Sequence, residues 1–238
     1  MKQKLLIATL ILAIITMFIC YFKIVTWQKD NNLTRKMIID IQETMDMTIT
    51  DNLNIQVNYS KAPEINDEIV GWIRVKGTYI NYPFVQHDDN SYYLKHSLDK
   101  SYNNAGWIFL DYRNDINKVN KNMILYGHGR VDETMFGSLK NVLNTTWLNN
   151  KDNHIIYLST KNDSYLYKVF SIYHIPTSDD YIKTSFKDDE EYLKFLNMLK
   201  DRSVYNFLSD ISSDNEILTL STCYGLTEKL VVHAKLIR

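Results

Sequence analysis

Residues Leu5 to Phe22 run for eighteen positions without a charge, LLIATLILAIITMFICYF, and that run dictates where the rest of the 238-residue chain can go. As a helix it rises about 27 Å, close to the ~30 Å hydrocarbon thickness of a bilayer. The rival reading is a cleaved secretory signal, whose apolar stretch usually covers only ~7 to 15 residues and ends in small side chains before the cut. Here Met17 to Phe22 is bulky throughout, which favours an uncleaved transmembrane anchor over 5–22. Lys2 and Lys4 precede it, so residues 1–4 are expected in the cytoplasm and everything after the span outside, although Lys23 and Lys29 soften the asymmetry.

This topology changes what charge and cysteine content mean. The whole chain has 27 basic and 28 acidic residues, with no basic excess to neutralise a phosphate backbone, so nucleic acid is not an expected partner. Beyond the span, residues 24–238 hold 24 basic against 28 acidic residues, a mildly acidic −4. Of the two cysteines, Cys20 falls inside the apolar run and leaves Cys223 as the single thiol of the outer part. An unpaired thiol outside the cytoplasm is exposed to oxidation unless it is buried or chemically used.

Residues 23–62 read as a helix and tether, because Met37, Ile38, Ile41 and Met45 recur at helical spacing. From Pro63 to residue 238 a pattern of short strands takes over. Candidates are Gly71 to Val75, Tyr79 to Val85 (with Pro83 demoting it to an edge or bulged strand), Trp107 to Leu110, Met123 to Tyr126, His154 to Leu158, Tyr165 to Ile175, Ile217 to Ser221 and Leu230 to Ile237. Two helices are expected among them. Asp132 to Leu143 places Met135, Phe136, Leu139, Val142 and Leu143 on one face, and Asp188 to Lys200 opens with four acids and closes with Lys200 and Arg202, as the helix dipole prefers. About eight short strands with few helices suggest one closed β-barrel, since closure removes the sticky edges.

Two segments depart from ordinary strand and turn. In Leu125-Tyr126-Gly127-His128-Gly129-Arg130 a strand runs into a histidine held between two glycines. In Leu218-Thr219-Leu220-Ser221-Thr222-Cys223 a strand delivers the thiol at its end, where rigid scaffolds present reactive groups. A thiol with a pKa near ~8.5 gains nucleophilicity from a neighbouring cation or imidazole. An imidazole near ~6.5 can exchange protons with an amine. Acyl transfer also needs a cation or donor aimed at the oxyanion, and Lys229, six residues after Cys223, supplies one if the following strand pairs back. Against this, a lone cysteine is often only a small buried hydrophobe, and His233 in the strand Val231 to Ala234 is a spare candidate for the base. No ligand-spaced cluster suggests a metal, and no cofactor is expected.

Thr219-Leu220-Ser221-Thr222-Cys223 with Leu125-Tyr126-Gly127-His128, then Met135-Phe136-Gly137-Ser138-Leu139 and the ending Leu230 to Leu236, resembles the sortase family, and within it class B. These are membrane-anchored cysteine transpeptidases of Gram-positive envelopes. The resemblance covers roughly residues 65–238 and implies an eight-stranded sortase barrel with a Cys-His-Arg site. Carried over, Cys223 attacks the threonine carbonyl of an NPxTx-like C-terminal sorting signal on surface proteins, and His128 protonates the departing amine. Ser221 and Thr222 help bind substrate, and the acceptor is an amine of a peptidoglycan cross-bridge or of lipid II. The sequence departs from the family where an arginine is expected: that position is Lys229. Lysine keeps the charge and loses the planar fork. It either substitutes directly, or Arg130 or Arg113 enters the site, or the enzyme is slow. An impaired relative that only binds sorting signals and a papain-like envelope hydrolase are the alternatives. The latter usually presents Cys before His, the reverse of the order here. The pocket walls are sought in Tyr92-Tyr93 and in the loop from Pro176 to Phe186.

Overall fold

The computed structural model of the protein describes residues 2–45, 47–49, 55–118, 120–225 and 227–237. One helix, α1 (Lys2–Met45), carries the apolar run and continues through the polar segment without a break. Leu, Ala and Met are good helix formers. The two hydroxyls of the run are satisfied internally: Thr9 donates to the Leu6 carbonyl and Thr16 to Leu12 and Ala13. The apolar side chains of this part are exposed, whereas Asp30, Asn31, Thr34, Ile41 and Met45 are buried against the barrel. The same helix is therefore bare along its first half and docked along its second.

Docking is polar first and apolar later. Asn104 donates to the Asp30 carboxylate at 3.0 Å, Asn103 donates to the Thr34 hydroxyl at 3.1 Å, and Arg130 binds the Asn31 side-chain oxygen. Further on, Gln42 donates to the Asn81 carbonyl at 2.9 Å, beside buried Ile41 and Met45. In place of a bare tether, the chain forms a small hairpin of β1 (Met47–Ile49) and β2 (Ile55–Val57). The rest of the tether, 50–54, lies outside the described residues.

After a one-turn helix α2 (Ala62–Ile65) come β3 (Ile69–Val75), β4 (Asn81–Gln86), β5 (Phe109–Leu110) and β6 (Asn122–Tyr126). Then follow a short α3 (Thr145–Asn149), β7 (Ile155–Thr160), β8 (Ser164–Pro176), α4 (Asp189–Asp201), β9 (Ile217–Tyr224) and β10 (Glu228–Leu236). Strands β3 to β10 close into an eight-stranded barrel in the order β10, β8, β7, β3, β4, β5, β6, β9. All eight expected strands are present. Pro83 does not make β4 an edge: it pairs with Trp72 of β3, and β5 joins on the other side only from Val85 onward, past the missing N–H.

Alternation along β9 and β10 explains what surrounds the thiol. Leu218, Leu220, Leu230 and Val232 point into the barrel core, while Ile217 and Val231 join a second cluster with Tyr192, Leu196 and Leu199 of α4. Burying each such large side chain stabilises the fold by roughly 1.5–3 kcal/mol. The helix α4 matches its expectation, with Asp188 capping the Glu191 N–H at 2.9 Å.

The helix expected over Asp132 to Leu143 is different. Glu133 and Met135 have positive φ (66° and 52°), and the Phe136 N–H donates to the His128 carbonyl at 3.1 Å. The segment is thus folded back onto the histidine loop, and helical geometry begins only at Gly137–Leu143, as a 3-10 turn. Its apolar residues still reach the core, which is why their spacing looked helical.

Candidate active site

Parallel pairing of β6 with β9 brings the two unusual segments together. Tyr126 pairs with Ser221, the Gly127 N–H donates to the Ser221 carbonyl at 3.3 Å, and the Thr222 hydroxyl donates to the Gly127 carbonyl at 2.7 Å. One residue further along each strand stand His128 and Cys223. Gly129 then packs directly on the Cys223 carbonyl, and a β-carbon at this position would collide with that oxygen. The glycine here is required by close approach of backbone to backbone.

The antiparallel hairpin of β9 and β10 supplies the cation. Lys229 pairs with Cys223 in register, and its Nζ lies 3.2 Å from the Cys223 Sγ. The thiol is exposed, because β9 leaves the core at Thr222. Cys223, His128 and Lys229 line one cleft of about 660 Å³ together with Ser221, Thr222, Tyr181 and Leu94. The histidine ring is held by its Nε2, 2.7 Å from the Leu94 carbonyl oxygen.

Ser221 and Thr222 both reach the cleft, but their hydroxyls are engaged. Ser221 shares a 2.8 Å hydrogen bond with the Tyr181 hydroxyl, and Thr222 is bound to Gly127. Thr222 therefore ties the histidine strand to the cysteine strand while also lining the cleft. Tyr181 was not singled out by sequence. Burial pushes its phenol up, against the opposing pull of the Ser221 hydrogen bond and the Lys229 charge, so it stays neutral and able to donate or accept.

The spare candidates fall away. His233 is fully buried, with Nε2 2.9 Å from the Tyr173 hydroxyl and Nδ1 2.9 Å from the Thr219 hydroxyl. Burial, reinforced by the Arg202 charge, pushes it down to about 3, so it is a neutral core residue. Arg113 is fixed to Asp111 at 2.8 and 2.6 Å and to the Ile182 carbonyl. Burial alone would raise the Asp111 carboxyl, yet its bonds to Arg113 and Tyr126 hold it below the usual range. Arg130 is tied to Asp132, Thr134 and Asn31. Among the described residues that line the cleft, Lys229 is the one lysine or arginine.

The wall expected from the loop after β8 is present as Thr177 to Ile182, whereas Tyr92 and Tyr93 do not line the cleft and their neighbour Leu94 does. An exposed thiol beside an ammonium, with an imidazole lining the same cleft, is suited to acyl transfer through sulfur to an amine.

Known proteins carry the same arrangement of strands. A Sortase domain profile matches residues 73–237. Sortase B of Staphylococcus aureus is 34% identical over 100% of this chain and 98% of its own, and sortase B of Listeria monocytogenes is 34% identical over 79% and 78%. The crystal structure of Bacillus anthracis sortase B in complex with AAEK1 superposes with a TM-score of 0.78 at 37% identity, covering 88% of this chain and 99% of that one. A Staphylococcus aureus sortase B–substrate complex gives 0.70 at 32% identity, covering 92% and 97%.

Proposed function

The chain belongs to the sortase family and is a class B-type cysteine transpeptidase of surface-protein sorting; on that premise we propose that Cys223, His128 and Lys229 carry its chemistry. The Cys223 thiol gives its proton to His128 as the sulfur attacks the threonine carbonyl of an NPxTx-like sorting signal, and the S–C bond forms as the carbonyl oxygen takes up negative charge. Lys229 faces that oxyanion. As the C–N bond breaks, the imidazolium of His128 gives its proton to the departing amine. The resulting thioester is then attacked by an amine of a peptidoglycan cross-bridge or lipid II, His128 takes the proton back, and the thiolate leaves. Ser221, backed by Tyr181, orients the peptide, and Thr222 keeps the two reacting strands in register.

The observation that carries this reading is that the thiol, the imidazole and the one lysine of the cleft share a single cavity, with the ammonium 3.2 Å from the sulfur. The anchor belongs to the same proposal. Residues 5–22 span the membrane with 1–4 inside, and 23–62 connect to a catalytic barrel over 63–238 on the outer face. The exposed apolar half of α1 supports that arrangement.

The test uses the full chain in nanodiscs with NPxTx-type peptides and a glycine-based amine. Transfer of the acyl group to the amine is the expected result. Release of free acid at the same rate with and without amine would indicate a hydrolase. Binding of the peptide without cleavage would indicate a recognition protein. Either contradicts the proposal.

A further inference from the structure

The role of His128 leaves one question of chemistry open: which of its two ring nitrogens handles the proton. A carbonyl oxygen has no proton to give, so the nitrogen that meets the Leu94 carbonyl at 2.7 Å, Nε2, carries a hydrogen. This holds for the neutral ring and for the imidazolium. From this contact we infer that the Leu94 carbonyl fixes the tautomer of His128, so that Nδ1 exchanges the proton with substrate while Nε2–H stays bound throughout. The inference rests on the proposed role of His128 and adds to it a positioning group that no side chain supplies. Backbone carbonyls hold metal-binding histidines in one tautomer by the same device.

The carbonyl is itself held firmly. It ends a 3-10 turn, Tyr92–Leu94, whose N–H of Leu94 donates to Ser91 and whose Tyr93 carbonyl accepts from the Trp107 N–H at 2.9 Å. Tyr92 stacks on His96 at 3.9 Å between ring centroids, and the His96 Nδ1 lies 2.7 Å from the Tyr92 carbonyl. The Tyr93 hydroxyl donates to Glu68 at 2.6 Å and accepts from Asn66 at 2.8 Å. Gly106 closes the seat from below, in the left-handed region at φ +62°. A β-carbon on it would stand 2.5 Å from the Tyr93 carbonyl, 2.9 Å from the His128 Cδ2 and 3.1 Å from the Leu94 carbonyl. The turn that orients the imidazole also brings Leu94 to the cleft wall. Substrate binding and proton transfer thus meet on one piece of backbone.

In the first half-reaction the Nδ1 lone pair takes the Cys223 thiol proton as the S–C bond forms, and Nδ1–H then passes that proton to the amine nitrogen as the C–N bond breaks. In the second, the Nδ1 lone pair takes a proton from the incoming amine as the new C–N bond forms and the S–C bond breaks. Charge and protons balance, and Nε2 takes no part in either step.

Nitrogen-15 spectra of the full chain in nanodiscs, labelled at histidine and assigned for His128 by comparison with His128→Gln, read the tautomer directly. In the neutral ring, a protonated Nε2 and an unprotonated Nδ1 are expected. A protonated Nδ1, or an averaged pair, overturns the inference. It would leave the functional proposal standing, which fails separately if His128→Gln turns over normally. Two variants add kinetics. Gly106→Ala is expected to lower kcat by roughly 10²-fold, the scale of lost acid–base catalysis, and to disturb the tautomer signal. Leu94→Ala keeps the carbonyl and is expected to raise KM while the tautomer is unchanged. Should Gly106→Ala fail to fold, the wild-type spectrum and the Leu94→Ala split still decide.

Discussion

Replacing Lys229 by methionine keeps the length and apolar stem of the side chain and deletes the ammonium 3.2 Å from the Cys223 sulfur. In the proposed mechanism the oxyanion forms on the oxygen bonded to the carbon that sulfur attacks, two bonds from the sulfur that the ammonium contacts. Loss of one preorganised donor to an oxyanion costs about 10²- to 10³-fold in kcat. The contact is exposed and open to water, which places the expectation at the lower end, about 10²-fold or ~2.7 kcal/mol in transition-state stabilisation. No compensation is available from Arg113 or Arg130, both bound elsewhere. Lys229→Arg restores a planar fork and is expected to stay within about tenfold of wild type. The assay is kcat/KM for peptide cleavage with a saturating amine, alongside thermal unfolding to confirm that the methionine variant is intact. A folded Lys229→Met within roughly threefold of wild type would refute the assigned role, since so small a change lies below the cost of losing any oxyanion donor.

Thr222→Val removes the 2.7 Å bond to the Gly127 carbonyl and leaves that acceptor unpaired. A loss of about 1–3 kcal/mol in urea unfolding is expected, with slower turnover; unchanged stability would show the strands are held by other means. Gly129→Ala sets a methyl against the Cys223 carbonyl, and is expected to lower acyl-enzyme formation more than peptide affinity, checked by separate measurement of binding and single-turnover cleavage. His233 titrates at about 3 in the fold, against about 6.5 when free, because it is buried and near Arg202. The unfolded chain therefore binds a proton that the folded chain refuses, so this stability is whole above about pH 6.5 and falls as pH drops toward 3, by up to about 1.4 kcal/mol per unit. Urea midpoints of wild type and His233→Gln should converge on acidification, and a constant difference would contradict the assignment.

The barrel was legible because its strands are short, alternate apolar faces and end in turn residues, and α4 because its charges and cap follow the helix dipole. The segment from Asp132 to Leu143 misled for a physical reason. Its apolar residues do enter the core, but two left-handed residues bend it back to His128, and no periodicity reveals a positive φ at Glu133 or Met135. Cys223, His128 and Lys229 could be chosen as candidates by chemistry and motif, since each sits at a strand end or beside a glycine, and they do line one cleft. Tyr181 and Leu94 could not. The first meets Ser221 across 40 positions and the second meets His128 across 34, and only barrel closure makes those pairs neighbours. The burial of His233 was likewise hidden, because a histidine between Val232 and Ala234 reads the same whether it faces a cleft or Thr219 and Tyr173.

Peptide mapping by mass spectrometry, after the full chain in nanodiscs is quenched during turnover of a sorting peptide, tests the account most directly. A thioester carrying the peptide up to its threonine, located on Cys223 and accumulating when the amine is withheld, is the predicted result. Cleavage that proceeds undiminished in Cys223→Ala, or an adduct found on any other residue, would contradict it.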